Sequence, residues 1–252
     1  MMDVLLEARA LSKHFGGLAA VEQVSIEVAV GDLHAVIGPN GAGKTTLVNL
    51  LSGDLLPSSG SVYFRNQDIS RLAPEKRSRL GIGRSYQKTN IFPGFSALEN
   101  CRLAAQSRRP HSFNWLRDAL SYAQVVEDAR HALQQAGLDR RADDFALALS
   151  HGEQRQLEIA MCLATGPQLL LLDEPLAGMG TEESQQMVQL ISRLAKTHAV
   201  LLIEHDMDAV FQLAKVLTVM VDGKVLASGA PEEIRANREV QSAYLGNSER
   251  LP

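Results

Sequence analysis

Gly38-Pro39-Asn40-Gly41-Ala42-Gly43-Lys44-Thr45-Thr46 follows the apolar run Leu33 to Ile37 and has the spacing G-x-x-x-x-G-K-[ST]. Glycines let the main chain wrap closely enough for successive N–H groups to point at the oxygens of one anion. A helix starting at the loop turns its positive end to the same point. Lys44 is placed to reach the outer phosphates of a nucleoside triphosphate, and the Thr45 hydroxyl to ligate Mg²⁺. A glycine-rich turn without a ligand would not need all four fixed positions filled after a strand.

Around this loop the chain has two textures. Val24, Ile26, Val28 and Val30 alternate with Ser25, Glu27 and Ala29, as in a strand with one buried face, and Ser61 to Phe64 predicts another strand. Leu33 to Ile37, Leu169 to Leu172 and Ala199 to Ile203 are instead unbroken apolar runs, expected where both faces of a parallel sheet are covered. The middle reads as helical. Leu98, Cys101, Leu103, Ala104 and Ala105 suggest one helix, and Tyr122, Val125, Val126, Ala129, Leu133 and Ala136 a longer one ending at Gly137. Arg108-Arg109-Pro110 through Trp115 reads as a loop. Asp222-Gly223 between apolar strands signals a hairpin, and Pro231-Glu232-Glu233 opens a short helix.

With 252 residues the chain is long enough for one large domain or a domain with a subdomain. A net charge of -4 argues against a general nucleic-acid binder. Cys101 and Cys162 form no CxxC pair and are expected as buried, reduced thiols. Met1-Met2-Asp3 does not open a signal peptide, and no apolar run nears the roughly 18–20 residues that span a bilayer, so a membrane role must be peripheral. The basic clusters Lys76-Arg77-Ser78-Arg79 and Arg140-Arg141 are expected on solvated faces.

Two further elements point to phosphate chemistry. Leu169-Leu170-Leu171-Leu172-Asp173-Glu174-Pro175 puts two carboxylates at the end of a buried strand, the edge where parallel sheets gather ligands. Asp173 is placed to hold Mg²⁺, and Glu174 to orient and deprotonate an attacking water. Ser150 and Glu153, in Leu149-Ser150-His151-Gly152-Glu153-Gln154-Arg155-Gln156, form a capping box at a helix start. A capped helix with Gly152 in its first turn offers N–H groups to an anion. The chain's own loop needs no second such helix, so Ser150, Gly152 and Glu153 are expected to face the γ-phosphate held by another subunit.

Over nearly its whole length the sequence resembles an ATP-binding-cassette (ABC) nucleotide-binding subunit. The family's L-S-G-G-Q signature stands here as Leu149-Ser150-His151-Gly152-Glu153, departing at His151 and Glu153. Gln87, in Arg84-Ser85-Tyr86-Gln87, matches the glutamine that links Mg²⁺ and water to a membrane partner. His205, in Ile203-Glu204-His205-Asp206, matches the switch histidine that touches the γ-phosphate, and Phe15 the aromatic that stacks on adenine. In the loop after Pro175 the family often has Asp where this chain has Gly180.

The resemblance implies ATP with Mg²⁺, and an α/β fold of the P-loop NTPase type. A RecA-like parallel core and an N-terminal antiparallel β subdomain would occupy about residues 1–94 and 166–230. An inserted helical subdomain would cover about 95–165 and a helical tail 231–252. It implies a second ATPase subunit, like or unlike, two transmembrane permease subunits, and a periplasmic solute-binding protein feeding them. Such a chain works at the cytoplasmic face of the inner membrane. Leu176-Ala177-Gly178-Met179, Asn90-Ile91-Phe92-Pro93, the insert around Ser107 to Ser121 and the run Pro231 to Gly246 resemble importer ATPases for branched-chain amino acids, and those for urea and short amides. A lipopolysaccharide-type exporter ATPase has similar length, but that C-terminal run argues against it. A GTPase would need an N/TKxD motif, which is missing, and a kinase would not need Ser150 to Gly152.

Overall fold

The computed structural model describes residues 4–86, 90–108 and 119–245. In chain order the elements are β1 (Val4–Phe15), β2 (Leu18–Ala29), β3 (Leu33–Ile37), α1 (Lys44–Ser52), β4 (Ser59–Phe64), β5 (Gln67–Asp68), α2 (Pro74–Leu80), β6 (Ile82–Arg84), α3 (Ala97–Gln106), α4 (Ala119–Ala136), α5 (His151–Ala164), β7 (Leu169–Asp173), α6 (Thr181–Leu194), β8 (Ala199–Ile203), α7 (Met207–Leu213), β9 (Val216–Val221), β10 (Lys224–Gly229), α8 (Pro231–Ala236) and α9 (Arg238–Leu245). They build two sheets. An antiparallel one runs β2-β1-β4-β5, and a second runs β10-β9-β3-β8-β7-β6. In the second, β9, β3, β8, β7 and β6 are parallel and β10 returns antiparallel through the Asp222-Gly223 turn.

The three runs are buried throughout and serve two cores at once. His34 interrupts the first as a buried polar residue, its two ring nitrogens 2.8 Å from the Glu27 carbonyl oxygen and 2.8 Å from the Thr218 hydroxyl. Ala35, Ile37, Leu170, Leu172, Val200 and Leu202 face the helices α3 to α6. Val36, Leu169, Leu171, Leu201 and Ile203 face the other way, onto α1 and the inner side of the antiparallel sheet. Each such leucine contributes roughly 1.5–3 kcal/mol through burial, so a polar residue on either face would be costly. In β2, Val24, Ile26 and Val28 are buried as their alternation predicts. Val30 does not continue the stripe. The strand ends at Ala29, which turns inward, and Val30 is 59 % exposed at the turn into Gly31.

Helix ends follow their sequence signals. α4 stops at Gly137, whose φ of +80° suits a residue without a Cβ. Ser96 caps α3, accepting from the Glu99 N–H, while the Glu99 carboxylate accepts from the Ser96 N–H. The part of the expected loop from Arg109 to Trp115 lies outside the described residues, as does Gly246. Among the described residues no helix is long and apolar enough to cross a membrane.

Arg77 corrects the expectation of a solvated basic face. Its side chain is fully buried under α1, and its guanidinium donates to the carbonyls of Leu50, Leu51, Ser70 and Leu72. Burial draws its pKa down to about 10, which leaves it charged at neutral pH. It closes the C-terminal end of α1, where helix carbonyls lack intrahelical partners. Arg141 behaves nearer to expectation, half-exposed and paired with Asp144 and with Glu153 at 3.2 Å. Arg77→Met should destabilise the chain by about 3 kcal/mol or more, because several buried carbonyls lose their donor. Urea denaturation followed by circular dichroism would measure it, and a loss below half that size would show that water replaces the guanidinium.

Candidate functional site

Register levels the strand ends that make the site. Val36 on β3 pairs with Ile203 on β8, and Ile203 pairs with Asp173 on β7. Residues 38, 174 and 204 therefore leave the sheet along one edge, the carboxyl edge expected to gather ligands.

The loop 38–43 is shaped by what surrounds it. A Cβ on Gly38 would lie 2.1 Å from the Met220 carbonyl oxygen, and one on Gly43 2.3 Å from that of Ala20. Gly43 also has φ +96° as the residue that starts α1. Lys44 is nearly buried, and its Nζ donates to the Gly38 and Pro39 carbonyls at 2.6 and 3.1 Å. Desolvation lowers its pKa, opposed by the charges of Glu174 and Asp173. Thr45 is exposed and Thr46 half-buried in the first turn of α1. Asn40 to Thr46, with Leu18, Ala19, Ala20, Glu174 and Asp222, line a cleft of about 430 Å³. Phe15 stands beside it at the tip of the β1–β2 hairpin, 49 % exposed, with Lys13 Nζ 5.3 Å from the ring centroid. Its place at the tip, not in the core, leaves ring surface for a base.

Asp173 is 1 % exposed, yet among the described residues neither of its carboxylate oxygens has a hydrogen-bond partner. Burial raises its pKa, and Arg84, with a guanidinium nitrogen 3.7 Å away, pulls it back down. A buried carboxylate with both oxygens open suits a divalent cation, and the hydroxyl of Thr45 is a ligand of matching hardness. Glu174 has φ +50°, a left-handed conformation unusual for a residue with a side chain. The bonds Glu174 N–H to Ile203 carbonyl, 2.9 Å, and Ala177 N–H to Glu174 carbonyl, 3.2 Å, hold it there.

His205 is exposed, its Nδ1 3.7 Å from the Glu204 carboxylate. Sequence reasoning missed Glu204. It is fully buried and accepts from the N–H groups of Leu176 and His205, so it ties the loop after β7 to the loop after β8. Burial raises its pKa, and those two N–H groups lower it. The acidic residue before His205 was visible, but nothing local told of a partner at Leu176.

Ser150, Gly152 and Glu153 line no part of the cleft. They form the start of α5, with the capping box intact. Ser150 Oγ accepts from the Glu153 N–H at 3.2 Å, and the Glu153 carboxylate accepts from the Ser150 N–H at 2.8 Å. His151, at the departure from the family signature, lies with Nε2 3.3 Å from the Ala177 carbonyl. Gln87 lies outside the described residues, but its flanks are held from α5. Arg155 donates to the Tyr86 carbonyl at 3.0 Å, Glu158 accepts from the Asn90 N–H at 2.6 Å, and the two pair with each other at 2.9 Å. These partners also escaped the sequence reading, since the two segments are far apart in the chain. Between them lies a groove of about 530 Å³, lined by Arg84, Tyr86, Asn90, Glu158, Met161 and Cys162 among others. Next to it Phe92 and Phe95 stack at 5.6 Å and stay exposed, as do Phe145 and Leu147.

A strand-loop-helix anion cradle, two acidic residues at the end of β7 in the same sheet and a second capped helix define a P-loop ATP-binding cassette. The chain belongs to the ABC transporter family, whose model matches residues 21–177. A model described as branched-chain amino acid ATP-binding cassette transporter matches residues 224–250. The chain is 37% identical to the high-affinity branched-chain amino acid transport ATP-binding protein LivG of Escherichia coli, over 98% of this chain and all of that one. It is 39% identical, with the same coverage, to BraF of Pseudomonas aeruginosa, which has the same description. Among solved structures it is similar to the ADP conformation of MJ1267, an ATP-binding cassette of an ABC transporter. There the TM-score is 0.84 and identity 29%, over 96% of this chain and 99% of that one.

Gly43→Ala tests the cradle. Its methyl group meets the Ala20 carbonyl, so the loop must shift away from β2. Affinity for a fluorescent ATP analogue should fall at least about tenfold, a loss of one to two good contacts. Unchanged affinity would mean that the loop tolerates the displacement.

Proposed function

We propose that this chain is the ATP-hydrolysing subunit of an importer for branched-chain amino acids, docked on the cytoplasmic face of its membrane subunits. The observation that carries the chemistry is the level edge where Lys44, Asp173 and Glu174 meet. Similarity to LivG and BraF along the whole chain, together with the C-terminal match, supports the transported class. The ATPase subunit does not itself contact the solute.

In this proposal the phosphate loop holds the β- and γ-phosphates of ATP, and Phe15 stacks on the adenine. Thr45, Asp173 and Gln87 would hold Mg²⁺, which when bound screens the phosphate charge and fixes its oxygens. Glu174 orients a water and takes its proton as the water oxygen attacks the γ-phosphorus and the bond to ADP breaks. His205 contacts the γ-phosphate from the next strand. Ser150, Gly152 and the first-turn amides of a second cassette complete the site, so two chains enclose two ATP molecules head to tail. A short cytoplasmic helix of a permease subunit fits the groove beside Tyr86 and Asn90, with Phe92, Phe95 and Phe145 as apolar contacts. The division into a nucleotide-binding core and a helical arm then lets closure of the pair move the permease. A periplasmic solute-binding protein would deliver the cargo on the far side.

Glu174→Gln should leave ATP binding intact and slow hydrolysis by about 10²-fold or more, near 3 kcal/mol of lost transition-state stabilisation. Normal turnover in that variant would assign the water to another residue. Phe15→Ala should weaken ATP by only about 1–2 kcal/mol, since one stacking face is lost. The importer assignment is tested by purification from native membranes. Two polytopic subunits and leucine-stimulated ATPase in the presence of the solute-binding protein are expected, and stimulation by urea alone would overturn the solute class.

A further inference from the structure

The anion-binding turn at the start of α5 already holds an anion from its own chain. Oε1 of Glu183, in the first turn of α6, accepts from Ser150 Oγ at 3.3 Å and from the Gly152 N–H at 3.3 Å. Gly152 admits the carboxylate, because a Cβ there would lie 2.9 Å from Glu183 Cδ and Oε1. His151 seats the same turn on the Ala177 carbonyl, so the start of α5 rests on the segment 177–183 from two sides. The donors that Glu183 uses are those proposed to meet the γ-phosphate on a second cassette. One oxygen cannot be replaced by another at the same donors without leaving, and a carboxylate that stayed would repel the phosphate at close range.

We infer that Glu183 is a displaceable internal anion that occupies the signature turn of the open chain and sets the ATP level at which two chains close. The inference rests on the sandwich proposed above and adds the residue that opposes it. Closure exchanges the Glu183 carboxylate for a γ-phosphate at both turns of a pair. Opening returns the carboxylate to Ser150 and Gly152, so the turn is never left without an acceptor.

The test uses the full chain with Glu174→Gln, which holds ATP without turnover, and measures the dimer dissociation constant by sedimentation in MgATP and in MgADP. Adding Glu183→Gln keeps the shape and an oxygen acceptor but removes the charge. The dissociation constant in MgATP should fall about tenfold, the size expected when a carboxylate is removed from competition at two helix N-termini. Glu183→Asp, one methylene shorter, should tighten the pair in the same direction. Glu182→Gln, the same charge change at the exposed neighbour, should leave it unchanged. A constant that is unaltered or raised by Glu183→Gln makes Glu183 a support of the turn and overturns the inference. Equal tightening by Glu182→Gln also overturns it, since net charge then explains the effect. If the Glu174→Gln parent fails to pair in MgATP, a sandwich of two like chains is ruled out and the inference, which is stated for such a pair, goes with it.

Discussion

The phosphate loop sits between two main-chain carbonyls, and much of the architecture serves that fit. One carbonyl, of Ala20, comes from the antiparallel sheet, and the other, of Met220, from the parallel one. Neither sheet alone can shape the loop. Glu22 N–H bonds to the Gly223 carbonyl, and Gly223 N–H to the Ala42 carbonyl, so the hairpin after β9 joins the two sheets at the loop itself. Glycine at 38 and 43 follows from this closeness as much as from the needs of an anion. The buried rows of β3, β7 and β8 then fix the height at which the loop, Asp173 and His205 emerge.

A second centre of organisation is α5. Its first turn carries the capped signature, and one turn further on Arg155 and Glu158 hold the main chain at Tyr86 and Asn90. Both charges are nearly buried, and desolvation raises the Glu158 pKa against the pull of Arg155. A buried pair of this kind adds little net stability, but removing one partner leaves an uncompensated charge. Its value lies in position. The groove proposed for the permease helix and the turn proposed for the partner's phosphate are built on one rigid helix, so a push at the groove rotates the turn with it.

Most of this frame was legible in the sequence, for a physical reason. A strand buried on both faces is apolar at nearly every position, and a helix end is often capped by a near neighbour. Leu169 to Leu172 and the Ser150–Glu153 box announce themselves within a few residues. Arg77, Glu158 and Glu204 did not. Each is a polar group whose burial depends on partners from other segments, and a charged residue looks solvated in the sequence until the fold supplies those partners. Arg77 lies in a basic cluster and serves carbonyls of α1. The Val30 misreading has a similar origin, since alternation alone cannot say where a turn ends the strand. For Gln87 the sequence supplies a resemblance, and the described residues supply only its held flanks.

Glu174 shows how local strain and long-range order combine. Its left-handed backbone costs on the order of 1–3 kcal/mol and must be held by its surroundings. The Ile203 carbonyl holds its N–H, and the Ala177 N–H closes the turn that follows. Glu204 then binds the amides of Leu176 and His205 with one buried carboxylate. The loops bearing Glu174 and His205 therefore share an anchor, and neither can relax without stripping a buried carboxyl group of a donor. The main chains of two groups proposed to act on the same phosphate are thus tied together through one fully buried residue. The side chain of His205 is exposed, while its main chain is tied to Glu204.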